Sequence, residues 1–339
     1  MNTILVTGGA GYIGTHTIVE LLLANYQVVV FDNLSNSNRI ALNRVEELTG
    51  KRLHFVEGDL LNLTELESVF RKFEFDCVVH FAGLKAVSES ICKPISYYAN
   101  NVQGTLNLIS IMQKYNTKKL VFSSSATVYG MPSTNPLTED MPVGVPTNPY
   151  GTSKLMIEKI LEDLYAADSC WDIIILRYFN PVGAHISGML GEDPAGMPNN
   201  LMPLITQTAV KKKPEITVFG DDYDTPDGSG IRDYIHVVDL AKGHLAAIVR
   251  CETSMGLVIV NLGTGKGISV FEMISCFSRV NAVKVPFTVG IKRAGDVPVC
   301  IAGVDKAMHV LGWKAKLDLD SMCRDSWRWQ LRNPNGYRG

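Results

Sequence analysis

Near its start the chain carries a short apolar, β-branched run, Thr3-Ile4-Leu5-Val6-Thr7, with no polar position alternating through its centre. Continuous runs of this length fit strands that are buried on both faces, as in parallel sheets. The pattern returns at Val28-Val29-Val30-Phe31, at 53–57, at Cys77-Val78-Val79-His80-Phe81 and at Leu120-Val121-Phe122, with helical patterns between the runs. Strands alternating with helices predict an α/β fold, a doubly wound parallel sheet of the Rossmann type. Ligands in such sheets bind beyond the carboxyl ends of the strands, which puts Asp59, Phe81, Lys85 and Ser125 at the binding edge. The run at 172–179 belongs to the same sheet, after which the chain is expected to cross to a smaller unit and return for 257–261. The predicted division is therefore 1–180, with 236–262 returning to it, and a discontinuous second domain of 181–235 and 263–339.

The first run leads into Gly8-Gly9-Ala10-Gly11-Tyr12-Ile13-Gly14. A strand that turns through glycines into a helix suits a dinucleotide pyrophosphate, because the helix N-terminus offers unpaired N–H groups and a favourable dipole. Gly8 is expected to allow the tight turn, Gly11 the approach of backbone to phosphate, and Gly14 close packing of helix on strand. The spacing is G-x-x-G-x-x-G, not the commoner G-x-G-x-x-G. Asp32 ends the second run, eighteen residues beyond Gly14. An acid there accepts from a ribose 2′-hydroxyl and repels a 2′-phosphate, so NAD is predicted over NADP. The purely structural alternative is a turn-forming Asp-Asn pair.

With a dinucleotide site in place, the run Asn148-Pro149-Tyr150-Gly151-Thr152-Ser153-Lys154 gains meaning. Residues four apart on a helix share a face, so Tyr150 and Lys154 can meet one substrate. A free tyrosine, with a pKa of about 10, is a poor base. A neighbouring ammonium, helped by an oxidised nicotinamide ring, is expected to favour the phenolate. Without the glycine turn the pair would read as a solvated helix face.

Composition narrows the classes. With 339 residues, 46% hydrophobic and a formal charge of −2, the chain can bury a large core and shows no global basic field for nucleic acid. Lys211-Lys212-Lys213-Pro214 is the one basic run and reads as a solvated turn, while 220–228 is rich in turn formers and reads as an exposed loop that could move on substrate binding. No apolar stretch approaches the roughly 20 residues that span a bilayer. The N-terminus runs into a strand without the pattern of a signal peptide, so a cytoplasmic location and no membrane partner are expected. Seven scattered cysteines without C-x-x-C read as reduced thiols, not disulfides or zinc ligands, and no metal site is expected.

Several motifs in order carry a family resemblance: TGGAGYIG at 7–14, HFAGLKAV at 80–87, SSSATVYG at 123–130 and the Tyr150/Lys154 pair. They resemble the extended short-chain dehydrogenase/reductase family, closest to its UDP-galactose 4-epimerase branch. The likeness continues through LRYFNPVGAH at 176–185, PNNLMP at 198–203, RDYIHVVDLA at 232–241 and RAGDVP at 293–298, and so covers nearly the whole chain. It implies reversible 4-epimerisation of UDP-hexoses through a transient 4-keto sugar and bound NADH. Tyr150 would take the proton of the sugar 4-hydroxyl, Lys154 would hold the nicotinamide ribose, and Ser125 would hydrogen-bond the same sugar oxygen. The keto sugar would turn over in the site and recover the hydride on its other face. Such a cycle needs tightly held NAD and a site closed to water.

By the same likeness Gly8, Gly11, Tyr12, Ile13, Gly14, Asp32, Asn33, Asn36, Ser37, Asp59, Leu60, Phe81, Ala82, Gly83, Lys85, Asn100 and Phe179 would line the NAD site, with Ser125, Tyr150 and Lys154. Leu60, Ala82 and Ile13 would be core residues in any such fold. The second domain would bind the nucleotide sugar. Arginine forks match phosphate oxygens, which makes Arg232 and Arg293 the candidate diphosphate clamps. Asn180, Asn200, Leu201 and Lys85 would contact sugar and phosphate, and Asp296 would accept from a ribose hydroxyl. Thr217-Val218-Phe219 resembles the strand that pairs its backbone with uracil and stacks an aromatic ring on it. The helices at 103–115 and 150–167 would pair with those of a second copy in a homodimer, although their apolar residues fit an intramolecular core equally.

One departure from the family bears on specificity. Many similar bacterial sequences carry a tyrosine shortly after the G-D-x-P turn, where this chain has Cys300. The smaller residue is expected to leave room for N-acetylated sugars, UDP-GlcNAc and UDP-GalNAc; the alternative is a small buried hydrophobe. Two other functional classes stand beside epimerisation. A 4,6-dehydratase of this fold places an Asp-Glu pair after the active-site Ser or Thr, whereas Ser125 is followed by Ala126-Thr127. A non-enzymatic NAD sensor would have lost Tyr150 or Lys154, and both are present.

Overall fold

In the computed structural model, residues 2–338 are described except 133, 195, 197, 199, 254 and 294. Asn199 and Ala294 of the PNNLMP and RAGDVP motifs thus lie outside the described residues. The first six strands are β1 (Thr3–Thr7), β2 (Gln27–Asp32), β3 (His54–Glu57), β4 (Cys77–His80), β5 (Lys119–Ser125) and β6 (Asp172–Tyr178). They are followed by β7 (Asn180–Val182), β8 (Ile216–Phe219), β9 (Ile231–His236), β10 (Gly256–Leu262), β11 (Gly267–Ser269), β12 (Phe287–Gly290) and β13 (Val299–Cys300).

Seven of these strands form one parallel sheet in the order β10-β6-β5-β4-β1-β2-β3. Side chains alternate across a strand, so Ile4 and Val6 pack into one layer with Ile18, Leu21 and Leu22 of the helix Tyr12–Leu23. Leu5 enters the other layer with Leu108, Ile157 and Leu161. Burial on both faces is why the runs read as continuous apolar stretches. Strand order reverses between β1 and β4, which opens the crevice where ligands of this architecture sit.

After β6 the chain leaves the sheet at once. β7 pairs in parallel with β9, which also holds β11 antiparallel and β13 parallel, while β8 and β12 form a separate parallel pair. Val182, Ile205, Val218, Phe277 and Met322 make a separate core for this part. β10 rejoins the large sheet beside β6.

Two local features sharpen the sequence reading. The helix expected at 103–115 is Gly104–Lys114, preceded by a wider π-helical turn at Tyr98–Gln103. Asn101 in that turn is buried and bonds both the N–H and C=O of Leu84, and Ser153. It ties the loop after β4 to the helix that carries Tyr150. The 220–228 loop is exposed over most of its length, with Tyr223 buried under the Lys292 ammonium, 4.6 Å from its ring. Asp227 accepts from the N–H and hydroxyl of Ser229 and from the Ser269 hydroxyl, which stitches the loop to the start of the helix Val270–Asn281. No helix among the described residues is long and apolar enough to cross a membrane.

Asp172, at the start of β6, is buried with no hydrogen-bond partner for either carboxylate oxygen among the described residues. Burial pushes its carboxyl up to about 6, against the opposing pull of Arg250 and Lys119. A raised carboxyl pKa favours folding while the group is protonated, so this contribution is lost as pH rises from about 4 through about 6. Asp172→Asn, which mimics the protonated form, is expected to stabilise the protein at pH 8 by about 1 to 3 kcal/mol and by almost nothing at pH 4. Denaturant melts at the two pH values check this, and an equal effect at both would contradict it.

Candidate active site

The glycine turn is built as its sequence suggested. Gly8 has φ +69°, and a Cβ there would lie 2.5 Å from the Ala82 nitrogen after β4. A Cβ on Gly14 would lie 2.7 Å from the Gly8 carbonyl oxygen, so the helix packs on the turn without a side chain between them. Gly11 is the N-cap of the helix and supplies no side-chain cap. The N-terminus is thus left open to an anion.

Asp32 ends β2 with its carboxylate buried and turned back on the turn. It accepts from the Ala10 N–H at 3.0 Å and from the Leu34 N–H and Ser37 hydroxyl at 2.9 Å each. Burial raises its pKa and these donors oppose the rise. Asn33 donates to Asp59 at 2.9 Å, linking the ends of β2 and β3. One cleft is lined by Gly8, Gly11, Tyr12, Ile13, Gly14, Asp32, Asn33, Asn36, Ser37, Asp59, Leu60, Phe81, Ala82, Gly83, Lys85, Asn100, Tyr150 and Lys154. An open helix N-terminus at one point and a buried acid at a strand end fit a dinucleotide without a 2′-phosphate.

Tyr150 and Lys154 are not a solvated face. Asn148 caps the helix Pro149–Ala167 by accepting from the Gly151 N–H at 2.9 Å, and Pro149 occupies its first turn. That start directs Tyr150, Lys154 and Glu158 inward along one stripe, with Tyr150 6% and Lys154 4% exposed. Lys154 Nζ donates to the Ser123 carbonyl at 2.8 Å and lies 4.8 Å from the Phe122 ring. Burial lowers its pKa to about 8, with Glu158 opposing. Burial raises the Tyr150 pKa, and the nearby Ser125 hydroxyl opposes the rise. The Lys154 ammonium is turned to the Ser123 carbonyl.

The three consecutive serines separate cleanly. The Ser123 side chain bonds His244 at 2.9 Å, and Ser124 donates to Glu158. Ser125 is the one that meets Tyr150. Its oxygen accepts from the N–H and hydroxyl of Thr127 at 3.3 and 3.0 Å, which leaves its own proton to donate.

The other residues expected to bind the nucleotide sugar lie in smaller groups, with Lys85 on the cleft itself. Arg232 pairs with Asp296, and Cys300 on β13 is in register with Arg232 on β9. Burial pushes the Cys300 thiol up to about 11, with Arg232 opposing, so it stays a neutral small group. The Arg293 guanidinium lies 3.9 Å from the Phe219 ring centre. Thr217 and Phe219 are exposed, whereas Val218 points into the core and can offer only its backbone. Asn180 is exposed on β7, and Leu201 opens the helix Leu201–Ala209, packed against the second core. Asn200 and Lys85 come together on one Glu192 oxygen, at 2.7 and 3.1 Å.

Phe179 packs with Val128, Tyr129 and Ala302. Its neighbour Tyr178 lines the cleft and is close enough for Tyr150 to influence its ionisation. Alternation along β6 was the signal that could have added Tyr178. The 191–194 segment and Tyr337 also line the cleft, and nothing local in the sequence marks them.

The profile of the NAD dependent epimerase/dehydratase family matches residues 4–263. The chain belongs to that family. Among members, it is 57% identical to the UDP-glucose 4-epimerase of Bacillus subtilis over 335 residues, covering 99% of this chain and 98% of that one. It is similar in structure to UDP-glucose 4-epimerase from Bifidobacterium longum in complex with NAD+ and UDP, with a TM-score of 0.96 and 53% identity over 99% of this chain and 100% of that one. It is also similar to the UDP-Glc/GlcNAc 4-epimerase of Campylobacter jejuni, with a TM-score of 0.85 and 37% identity over 98% of this chain and 100% of that one.

Proposed function

We propose that this family member interconverts UDP-galactose and UDP-glucose by reversible 4-epimerisation. The observation that carries this reading is the buried Tyr150, beside the Ser125 hydroxyl and one helical turn from Lys154, at a cleft suited to a dinucleotide. The whole-length similarity to UDP-glucose 4-epimerases supports it.

NAD, when bound, supplies the acceptor for the hydride of sugar carbon 4 and a positive ring charge beside the phenol. Tyr150 Oη takes the proton of the 4-hydroxyl and returns it after the 4-keto sugar has turned over. Ser125 Oγ donates to the same sugar oxygen and holds it against the phenol. Lys154 Nζ carries a buried positive charge at the floor of the site and holds the nicotinamide ribose. Burial of all three groups excludes water from the keto sugar.

Residues 1–180 with 236–262 form the cofactor domain, and 181–235 with 263–339 the sugar-nucleotide domain. Arg232 and Arg293 clamp the diphosphate, Asp296 takes a ribose hydroxyl, and Asn180, Asn200 and Lys85 orient phosphate and sugar. β8 pairs with uracil through its backbone, with Phe219 as the stacking ring. A homodimer through the helices Gly104–Lys114 and Pro149–Ala167 is supported by the exposed Leu106 and Met156 on them. Free cysteines throughout the described residues fit a cytoplasmic home.

Cys300, half-buried and in register with Arg232, is smaller than the tyrosine of many similar sequences, and on that ground we infer that UDP-GlcNAc and UDP-GalNAc are also substrates. Incubation with UDP-galactose and no added oxidant should yield UDP-glucose, whereas a 4,6-dehydratase would yield a keto sugar that absorbs in alkali. Cys300→Tyr should cut turnover of the acetylated pair about tenfold or more and spare the plain pair, in line with steric discrimination worth ~1–3 kcal/mol. Wild-type protein that ignores UDP-GlcNAc would refute the wider specificity.

A further inference from the structure

The cofactor cleft has a wall that neither the glycine turn nor the strand ends provide. Gly191, Glu192, Asp193, Pro194 and Tyr337 line it, all from the C-terminal half of the chain. Tyr337 is 7% exposed and held on every side. Its hydroxyl lies 3.2 Å from both the nitrogen and the carbonyl oxygen of Gly191, and its own N–H donates to Asp193 at 2.9 Å. Its ring centre is 4.8 Å from that of Trp329. Gly191 and Gly336 admit no side chain here, since a Cβ would strike the Trp329 indole and the Asp193 carboxylate respectively.

Besides Lys85 on Glu192, Arg44 of the cofactor half reaches across to this assembly. Arg44, on the helix Arg39–Thr49 that follows Asp32 and Ser37, donates to the Met189 carbonyl at 2.9 Å and to Asn333 at 2.6 Å. Its guanidinium lies 5.1 Å from the Tyr337 ring centre and 5.8 Å from that of Trp329. Tyr12, in the glycine turn, is close enough to Tyr337 for the two phenols to influence each other. The wall therefore stands near the pyrophosphate-binding turn and is fastened to both halves of the chain.

We propose that Tyr337 and the 191–194 segment, pinned by Arg44, form a clamp that retains NAD in the cleft. The inference rests on the proposed reaction, in which the cofactor stays bound through every cycle. The glycine turn and Asp32 supply charge complementarity, which sets how NAD docks. A packed aromatic with few rotatable bonds, already held by its neighbours, adds a wall at little entropic cost. For NAD to leave, contacts between Tyr337, Gly191, Trp329 and Arg44 have to open, so the effect falls on dissociation more than on association.

The test follows NAD itself. Purified full-length protein is desalted, and the NAD remaining bound is released by acid and assayed over time. Tyr337→Ala should release NAD about tenfold faster than wild type or more, Arg44→Met several-fold faster, and Tyr337→Phe, which keeps the ring, only about twofold faster. Turnover of the first two should fall after desalting and recover when NAD is added, a split that a general loss of structure does not produce. Wild-type retention times in Tyr337→Ala, with a normal melt, would overturn the clamp. Should Tyr337→Ala fail to fold, Arg44→Met decides in the same way. If wild-type protein itself emerges without NAD, the retained-cofactor reaction is the part that fails. Titration with added NAD then still decides the clamp, since equal affinity in wild type and Arg44→Met would overturn it.

Discussion

Tyr150→Phe, folded and loaded with NAD, is expected to interconvert UDP-galactose and UDP-glucose roughly 10²–10⁴-fold more slowly than wild type, the range for loss of a positioned acid/base group. Phenylalanine fills the same buried space beside Ser125 and removes only the oxygen that carries the proton. Melting temperature and NAD content should stay near wild type, which separates chemistry from folding. Loss should appear in kcat and in kcat/KM alike, because the bond to the reacting proton is made as the proton moves. Undiminished interconversion would leave the proposed mechanism without its base.

The largest effect on stability is expected from Glu158→Ala. Glu158 stands one turn beyond Lys154 on the helix Pro149–Ala167, with a side chain 1% exposed against 3% for Arg177. Arg177 grips it through Nε at 3.1 and 3.2 Å and Nη2 at 2.6 Å, and Ser124 donates to it as well. Arg177 Nη1 has no hydrogen-bond partner among the described residues, so the guanidinium depends on this carboxylate. Removing one member of a buried pair leaves the other charge uncompensated and costs about 3–5 kcal/mol. Here two cations are stranded, since Glu158 also opposes the lowering of the Lys154 pKa. Glu158→Ala should therefore unfold at much lower urea, and the alkaline limb of any step that needs the Lys154 ammonium should move to lower pH. A double change, Glu158→Leu with Arg177→Met, should recover much of the stability because it removes both charges. A loss below about 1 kcal/mol in Glu158→Ala would show that the pair is solvated after all.

The two cases differ in how they were found. Tyr150 and Lys154 stood out in the sequence because helical spacing is a local property, and the capping Asn148 and Pro149 begin that helix within the same few residues. Arg177 and Glu158 lie on different elements, β6 and a helix, and no local spacing joins them. Their pairing exists because β5 and β6 are neighbours in the sheet, which brings Ser124 and Arg177 to the same register.

The cofactor side divides in the same manner. Gly8, Gly14 and Asp32 were legible because the turn after a first strand and the end of a second have fixed positions in a parallel sheet. At the end of β6 the fold also brings Tyr178 to the cleft, beside the Phe179 that the family likeness named, since alternation only assigns a face once the sheet's curvature toward the ligand is known. Spacing placed Lys154 on the same helix face as Tyr150 but said nothing of where its ammonium points, which is to the Ser123 carbonyl.

The chain's own pattern determined the elements that short-range physics controls: the strands of a seven-stranded sheet, most of them read from apolar runs, glycines where backbone must meet backbone or phosphate, and a tyrosine and lysine stacked by helical pitch. Only the tertiary structure decided which serine of three meets the phenol, which carboxylate holds Lys85 and Asn200 together, and how Tyr337 reaches a cleft begun by Gly8. These depend on crossovers that bring residues hundreds of positions apart into contact, and a contact across such a separation leaves no periodic trace in the chain that makes it.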